Sequence, residues 1–246
     1  MIPRALPVCI AACIVAAPLF AASDDSDRAA EIALANALHN GDSKAALKLF
    51  APKVSGYASI RTDIARLLEA AEVDLAIDTE TGIWSLRIVA RDVASGVTQR
   101  KAKVSLHTEG DLIHSFQPAG FLAPPPGREP WDALFAFATE LQNEDDAPPV
   151  EQFDRSIPGY SDLRSAITAL WTRYLIESSL DLKSNQGDDT HRTLQIDWTL
   201  TLKNPQDPVD STRREQSILV GIEKRGKAWK IVSFSPASLF TPLPGK

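Results

Sequence analysis

The residues whose types and spacing come nearest to a catalytic set are Asp154, Tyr160 and His191. Asp154 stands beside Arg155, a carboxylate with a counter-charge, and Tyr160 follows with a hydroxyl able to donate to a developing oxyanion. His191 adds a group that ordinarily titrates near neutral pH, and Asp197 a second carboxylate. Such groups would suit proton transfer or water activation on a small molecule. Each also has a structural reading. Asp154-Arg155 is either a site or a solvated turn. His191 enters a strand beside Asp188 and Asp189, a position that favours exposure. Asp197 alternates with Ile196 and Trp198, which sets it on the polar face of that strand and argues against a role as base.

Tyr160 belongs to a frame, Gly159-Tyr160-x-x-Leu163-Arg164, that also occurs as Gly56-Tyr57-x-x-Ile60-Arg61. Glycine permits φ > 0 at a helix entry, tyrosine buries a ring while its hydroxyl reaches a partner, and arginine one turn later can bond the preceding loop. A scaffold role explains the frame in both places at once, and it is the reading preferred here to a functional one.

Other chemistries find little to work with. His39, His107, His114 and His191 are dispersed, and the two cysteines, Cys9 and Cys13, fall in the first segment, so no metal-ligand spacing and no disulfide framework is present. No G-x-x-x-x-G-K-[ST] loop occurs, and no cofactor is indicated. Arg213-Arg214 and Lys224-Arg225-x-Lys227 are interrupted by Glu215 and Glu223 and read as a solvated sheet face.

The elements that must position these groups begin after a leader. Residues 1–23 carry Arg4, an apolar run from Ala5 to Phe20 broken by Pro7 and Pro18, and small residues before Asp24, which is the layout of a secretory signal peptide. The run is short for a membrane anchor, and a lipidated Cys13 is the lesser alternative because a long apolar tail follows it. The expected location is periplasmic or secreted. Without the leader, the 26 basic residues less Arg4 face 32 acidic ones, a net charge of −7 that offers no footprint for nucleic acid.

The mature chain reads as a repeat. Shifted by 103 positions, Asn40, Asp42, Phe50, Gly56, Tyr57, Arg61, Ile64 and Leu67 fall on Asn143, Asp145, Phe153, Gly159, Tyr160, Arg164, Ile167 and Leu170. Shifted by 118, Ser115-Phe116-x-Pro118-Ala119 falls on Ser233-Phe234-x-Pro236-Ala237. The first copy is placed at 27–124, a proline-rich connector at 125–130 and the second copy at 131–246, with about 15 extra residues inside the second. In the first copy, Ala51-Pro52 stands where the second has Asp154-Arg155.

Apolar spacing predicts helices over 29–38, 44–50 and 59–71, and over 131–141 and 161–178, with Pro148-Pro149 delaying or shortening the second copy's middle helix. Strands are predicted over 73–77, 83–92, 97–107 and 112–116, and over 193–202, where Leu194, Ile196, Trp198, Leu200 and Leu202 alternate with polar residues. Helices before a meander imply α+β, with helices on one face of a curved antiparallel sheet.

This order of elements, the length of each copy and the closing Ser-Phe-x-Pro-Ala segment resemble the nuclear transport factor 2-like (NTF2-like, or SnoaL-like) superfamily. The second copy, through Phe153-Asp154-Arg155, Gly187-Asp188-Asp189-x-His191-Arg192 and Asp197-Trp198, is also similar to uncharacterised exported bacterial proteins of that superfamily. The resemblance implies two tandem cystatin-like rolls, each with a cone-shaped cavity between helices and sheet. It is specific for fold and nearly silent on activity. An isomerase-like site in such a cavity needs a tyrosine on the first helix, and neither first helix has one. The expectation is therefore a non-catalytic binding or interaction module, with a small apolar ligand or an envelope protein as partner and the two domains paired, sheet against sheet, as an intramolecular pseudo-dimer. The alternative is a small-molecule isomerase, dehydratase or hydrolase using the second cavity.

Overall fold

In α1 (Asp25–His39) the buried positions Ala30, Leu34, Ala37 and Leu38 form the stripe of an amphipathic helix, with Asp25 and Asp27 in its first turn. The computed structural model describes residues 25–143 and 148–242; the leader with Cys9 and Cys13 lies outside them. A short α2 (Ser43–Lys48) is capped by Asp42, whose carboxylate accepts the Ala45 N–H at 2.9 Å. α3 (Tyr57–Ala70) buries Ile60, Ile64, Leu67 and Leu68. In the C-terminal half, α4 (Glu129–Glu140) starts with Pro130 and α5 (Tyr160–Trp171) buries Leu163, Ile167 and Leu170. No described residue between α4 and α5 is α-helical; turns follow Pro148-Pro149 instead.

The helix expected over 161–178 ends earlier, at Trp171. β6 (Leu175–Gly187) takes the remainder, because Ile176 and Ser178 pair with Leu202 and Leu200 of β7 (His191–Asn204). The helical spacing that would carry the helix past Trp171 is thus overridden by strand pairing. The strand expected over 97–107 is two strands. β3 (Val97–Lys103) joins the main sheet, whereas β4 (Ser105–Glu109) pairs only with β5 (Leu112–Gln117), and buried Val104 marks the break.

The fold is α+β. Seven strands form one sheet in the order β1-β2-β3-β6-β7-β8-β9, where β1 is Ala71–Asp78, β2 Ile83–Ala90, β8 Asp207–Arg225 and β9 Ala228–Ser235. All neighbours are antiparallel except β3 and β6, which run parallel through Val97–Gln186 and Thr98–Gly187. The sheet is therefore mixed, not wholly antiparallel. The two halves meet edge to edge at this pair instead of sheet against sheet, because β3 and β6 supply the unpaired backbone groups that close it.

Two hydrophobic cores result, one drawn from residues 30–122 and one from 131–240. In the first, Trp84 packs edge-on against Phe116 and Phe121 at 5.9 and 6.1 Å. In the second, Phe137 packs edge-on against Phe153, Trp198 and Phe240 at 4.8, 5.8 and 6.0 Å. Phe50 and Phe153 each form a parallel bridge, with Ile113 and Ile231 respectively. The Gln117–Pro118 and Ser235–Pro236 peptide bonds are both cis.

Candidate functional site at the join of the two halves

The three residues singled out for chemistry do not share a site. Asp154 and Tyr160 line a depression of about 820 Å³ at the start of α5, together with Arg155, Arg164 and Arg225. His191 lines a different one, at the join of the halves. The Asp154 carboxylate accepts the Ser156 N–H at 2.8 Å and pairs with Arg225 at 3.2 Å. Hydrogen bonding from Ser156, aided by Arg225, holds it below the usual carboxylate range. A carboxylate so held is a weak proton acceptor, and its contacts are those of a turn. Arg155 is exposed.

Asp197 lies on the outer face of the sheet, bonded by Ser217 and 3.3 Å from Lys183, and these two groups hold it below its ordinary range. Arg214 departs from the solvated face expected for its stretch: it is half-buried, and its Nη1 donates to the Leu239 carbonyl at 2.8 Å. In the repeated frame, Gly56 and Gly159 have φ of 76° and 75°, and Tyr57 and Tyr160 are half-buried against their cores. The bond expected from arginine to the preceding loop is not formed: Arg61 and Arg164 are exposed, with no hydrogen bond or ion pair among the described residues. The loop closes through its own backbone, Tyr57 N–H to Val54 O at 3.1 Å and Tyr160 N–H to Ile157 O at 3.0 Å.

The core between helices and sheet of the C-terminal half holds the rings of Phe137, Phe153, Trp198, Phe234 and Phe240. Asp154 and Tyr160 instead face the depression at the start of α5, whose walls include Phe153 of this ring cluster.

The polar machinery of the molecule sits instead where β3 meets β6. Arg192, 2% exposed, donates through Nε to Asn185 Oδ1 at 2.8 Å, through Nη1 to Thr98 Oγ1 at 2.6 Å and through Nη2 to the Ser95 carbonyl at 2.9 Å. Desolvation lowers its pKa to about 10, against the pull of Asp189 and Asp188, so it is a cation at neutral pH. Asn185 in turn donates to the Ala94 carbonyl at 2.5 Å. The turn before β3 comes so close that a Cβ on Gly96, at φ 66°, would lie 2.0 Å from the Asn185 carbonyl oxygen. Nearby, Arg100 of β3 grips Asp189 through Nε and Nη2 at 2.5 and 2.6 Å and donates to the carbonyls of Phe121 and Pro124 at 3.1 Å each.

These contacts frame a groove of about 1130 Å³ between β3 and the β6–β7 turn, with Gln99, Lys101, Phe121, Thr190, His191 and Thr193 among its walls. No family model and no curated protein sequence matches the chain. The groove's own chemistry therefore carries the functional argument. Its carboxylates are committed. Asp189 belongs to Arg100, and Asp188 caps the turn by accepting the N–H groups of Thr190 and His191 at 2.7 Å each. Burial works upward on Asp188, but these bonds outweigh it and hold the carboxyl below its ordinary range. His191 lies 3.6 Å from Glu223 and 3.5 Å from Asp188. A second depression, of about 460 Å³, lies over the row Leu75, Leu86 and Arg100 beside Ala35, Asn36 and His39 of α1, and shares β3 with the groove. Among the described residues no three His, Cys, Asp or Glu side chains are grouped to hold a metal ion, and no helix is long and apolar enough to cross a membrane.

The arginine network escaped the reading of the sequence, although a signal existed. Arg192 lies in phase with Leu194, Ile196, Trp198, Leu200 and Leu202, the buried face of β7, and a charged residue in a buried phase marks an interior polar contact.

Proposed function

We propose that this chain is an exported, non-catalytic binding protein of two fused NTF2-like units, and that its ligand is held in the groove at their join. The observation that carries this reading is the contrast between aromatic-filled cores and an open groove whose walls come from both halves. The repeat at shifts of 103 and 118 supports two units of one kind, as do the parallel bridges Phe50–Ile113 and Phe153–Ile231, which lie at those same shifts. The pseudo-dimer is then an intramolecular one, joined by strand edges and clamped by Arg192 and Arg100. The leader supports export, and a small apolar ligand or an envelope protein remains the class of partner. The alternative, an enzyme of the second unit, rests only on Asp154 and Tyr160 lining one depression.

The test is amide chemical-shift mapping of the mature protein against a library of small polar and apolar fragments. Shifts clustering at Gln99, Lys101, Thr190, His191 and Thr193 are expected. A cluster at Asp154, Tyr160 and Arg164, with turnover abolished by Asp154→Asn, would establish the enzyme instead.

A further inference from the structure

The β3–β6 pairing is short. Val97 and Thr98 pair with Gln186 and Gly187, after which β6 turns away through Asp188 and Thr190 while β3 continues to Lys103. The lane beside β3 is therefore vacated beyond the N–H of Gln99, and the groove lies along it, with Val97, Gln99, Arg100, Lys101 and Ala102 as one wall.

The phase of the β2–β3 ladder decides what that wall presents. Ala90 N–H donates to Gly96 O at 2.9 Å and Val104 N–H to Gly82 O at 3.4 Å. Hydrogen-bonded pairs alternate along an antiparallel ladder, so Thr98, Arg100 and Ala102 exchange their backbone bonds with β2. The Gln99 N–H points the other way and, in the parallel register of Thr98 with Gly187, is taken by the Gly187 carbonyl; beyond it the Gln99 C=O and the N–H and C=O of Lys101 point into the groove, past the last residue of β6. An edge of this kind pairs with an extended chain.

The structure assigns the groove to an extended peptide of a partner protein, added as a strand along β3 at Gln99–Ala102 and continuing the lane of β6. The inference rests on the groove being the binding site and specifies its occupant. Four residues of edge span about 13 Å at roughly 3.3 Å per residue, which fits a recognition segment of three to four residues. Side chains of an added strand alternate between faces. On the core side they meet the apolar wall of Ala102, Pro118 and Phe121. On the other side they meet Lys101, which is exposed and makes no ion pair among the described residues. The matching partner alternates apolar with acidic side chains. The Arg100–Asp189 contact, already satisfied, holds the turn at a fixed distance from β3 and keeps the lane open.

The experiment titrates the isotope-labelled mature protein with a capped heptapeptide of alternating valine and glutamate, and with its twin N-methylated at alternate residues. The peptide is expected to bind saturably, to slow amide exchange at Lys101 at least about tenfold, and to bind at least about tenfold more tightly than the twin, a difference of about 1.4 kcal/mol. Lys101→Glu should weaken binding several-fold while leaving the spectrum of both cores unchanged. Equal binding of the twin, unslowed exchange at Lys101, or no saturation at millimolar peptide overturns the inference. So does dimerisation of the chain itself through β3. If fragments still map to the groove when the peptide fails, the groove stands and its occupant is not a strand; if neither maps there, both readings fall.

Discussion

Thr98 Oγ1 accepts a 2.6 Å hydrogen bond from Nη1 of Arg192, a contact between β3 of one half and β7 of the other, made where the guanidinium is 2% exposed. Because Asn185 and the Ser95 carbonyl share the same guanidinium, the parallel strand pair is backed by an interior polar network and does not rest on two backbone pairings alone.

Truncating Arg192→Ala strands those acceptors in the interior. The expected loss is roughly 2–4 kcal/mol in urea denaturation, with the two halves unfolding in separate transitions as they uncouple. Thr98→Val, which removes one acceptor, should cost roughly 1 kcal/mol. A shift below about 0.5 kcal/mol for Arg192→Ala would mean that the network does not bind the halves together.

Gly96→Ala drives a methyl to 2.0 Å from the Asn185 carbonyl oxygen as well as imposing a left-handed backbone on alanine. Gly110→Ala has the same backbone demand, at φ 63°, but meets nothing within 4 Å. The control should lose roughly 1–2 kcal/mol and Gly96→Ala clearly more, with hydrogen exchange of Val97 and Thr98 accelerated only in the latter. Equal losses would show that the close approach is relieved without cost.

Phe137 contacts Phe153, Trp198 and Phe240 at the centre of the second core. Phe137→Ala should cost roughly 3–5 kcal/mol and open a dry apolar cavity that takes up xenon, readable by xenon NMR. Tyr160→Phe, which keeps the ring, should move stability by no more than about 0.5 kcal/mol. A wild-type protein that already binds xenon at this place would contradict a filled core.

Asp188 titrates below its ordinary value, so its contribution is complete above about pH 4, where the unfolded carboxyl is ionised, and declines as pH falls through the lower folded value. The carboxyl resonance of Asp188 should therefore show a midpoint below about 3.9, and the Thr190 and His191 amides should lose their hydrogen-bonded shifts over the same range. Asp188→Asn should remove that amide transition. A midpoint at or above the free-peptide value would refute the turn described here.

Much of the architecture was legible because it is local. The stripes of α1, α3 and α5 and the alternation from Leu194 to Leu202 follow from periods that each segment carries by itself. The departures occur where a distant partner decides. Ile176 and Ser178 have helical neighbours in sequence but strand neighbours in space, and Val104 breaks a strand because β4 turns to pair with β5. Of the candidate site, the extra length around Asn185–His191 was visible as the place where the second copy differs, yet its role in joining the halves was not. Asp154, Tyr160 and His191 were chosen by type; only their placement shows that the first two belong to a turn and a helix entry and the third to the groove.

By itself, then, the sequence determined two helix-then-strand stretches with their buried stripes, a proline-rich connector and an acidic balance, all properties of residue type and short-range spacing. The tertiary structure decided that the stretches share one sheet, that Arg192 and Arg100 clamp it, and that the backbone of Lys101 faces the groove beyond the end of β6. Those outcomes depend on which backbone edges meet and on which side each residue's hydrogen-bonding groups point, and a pairing register is a property of two segments that neither carries alone.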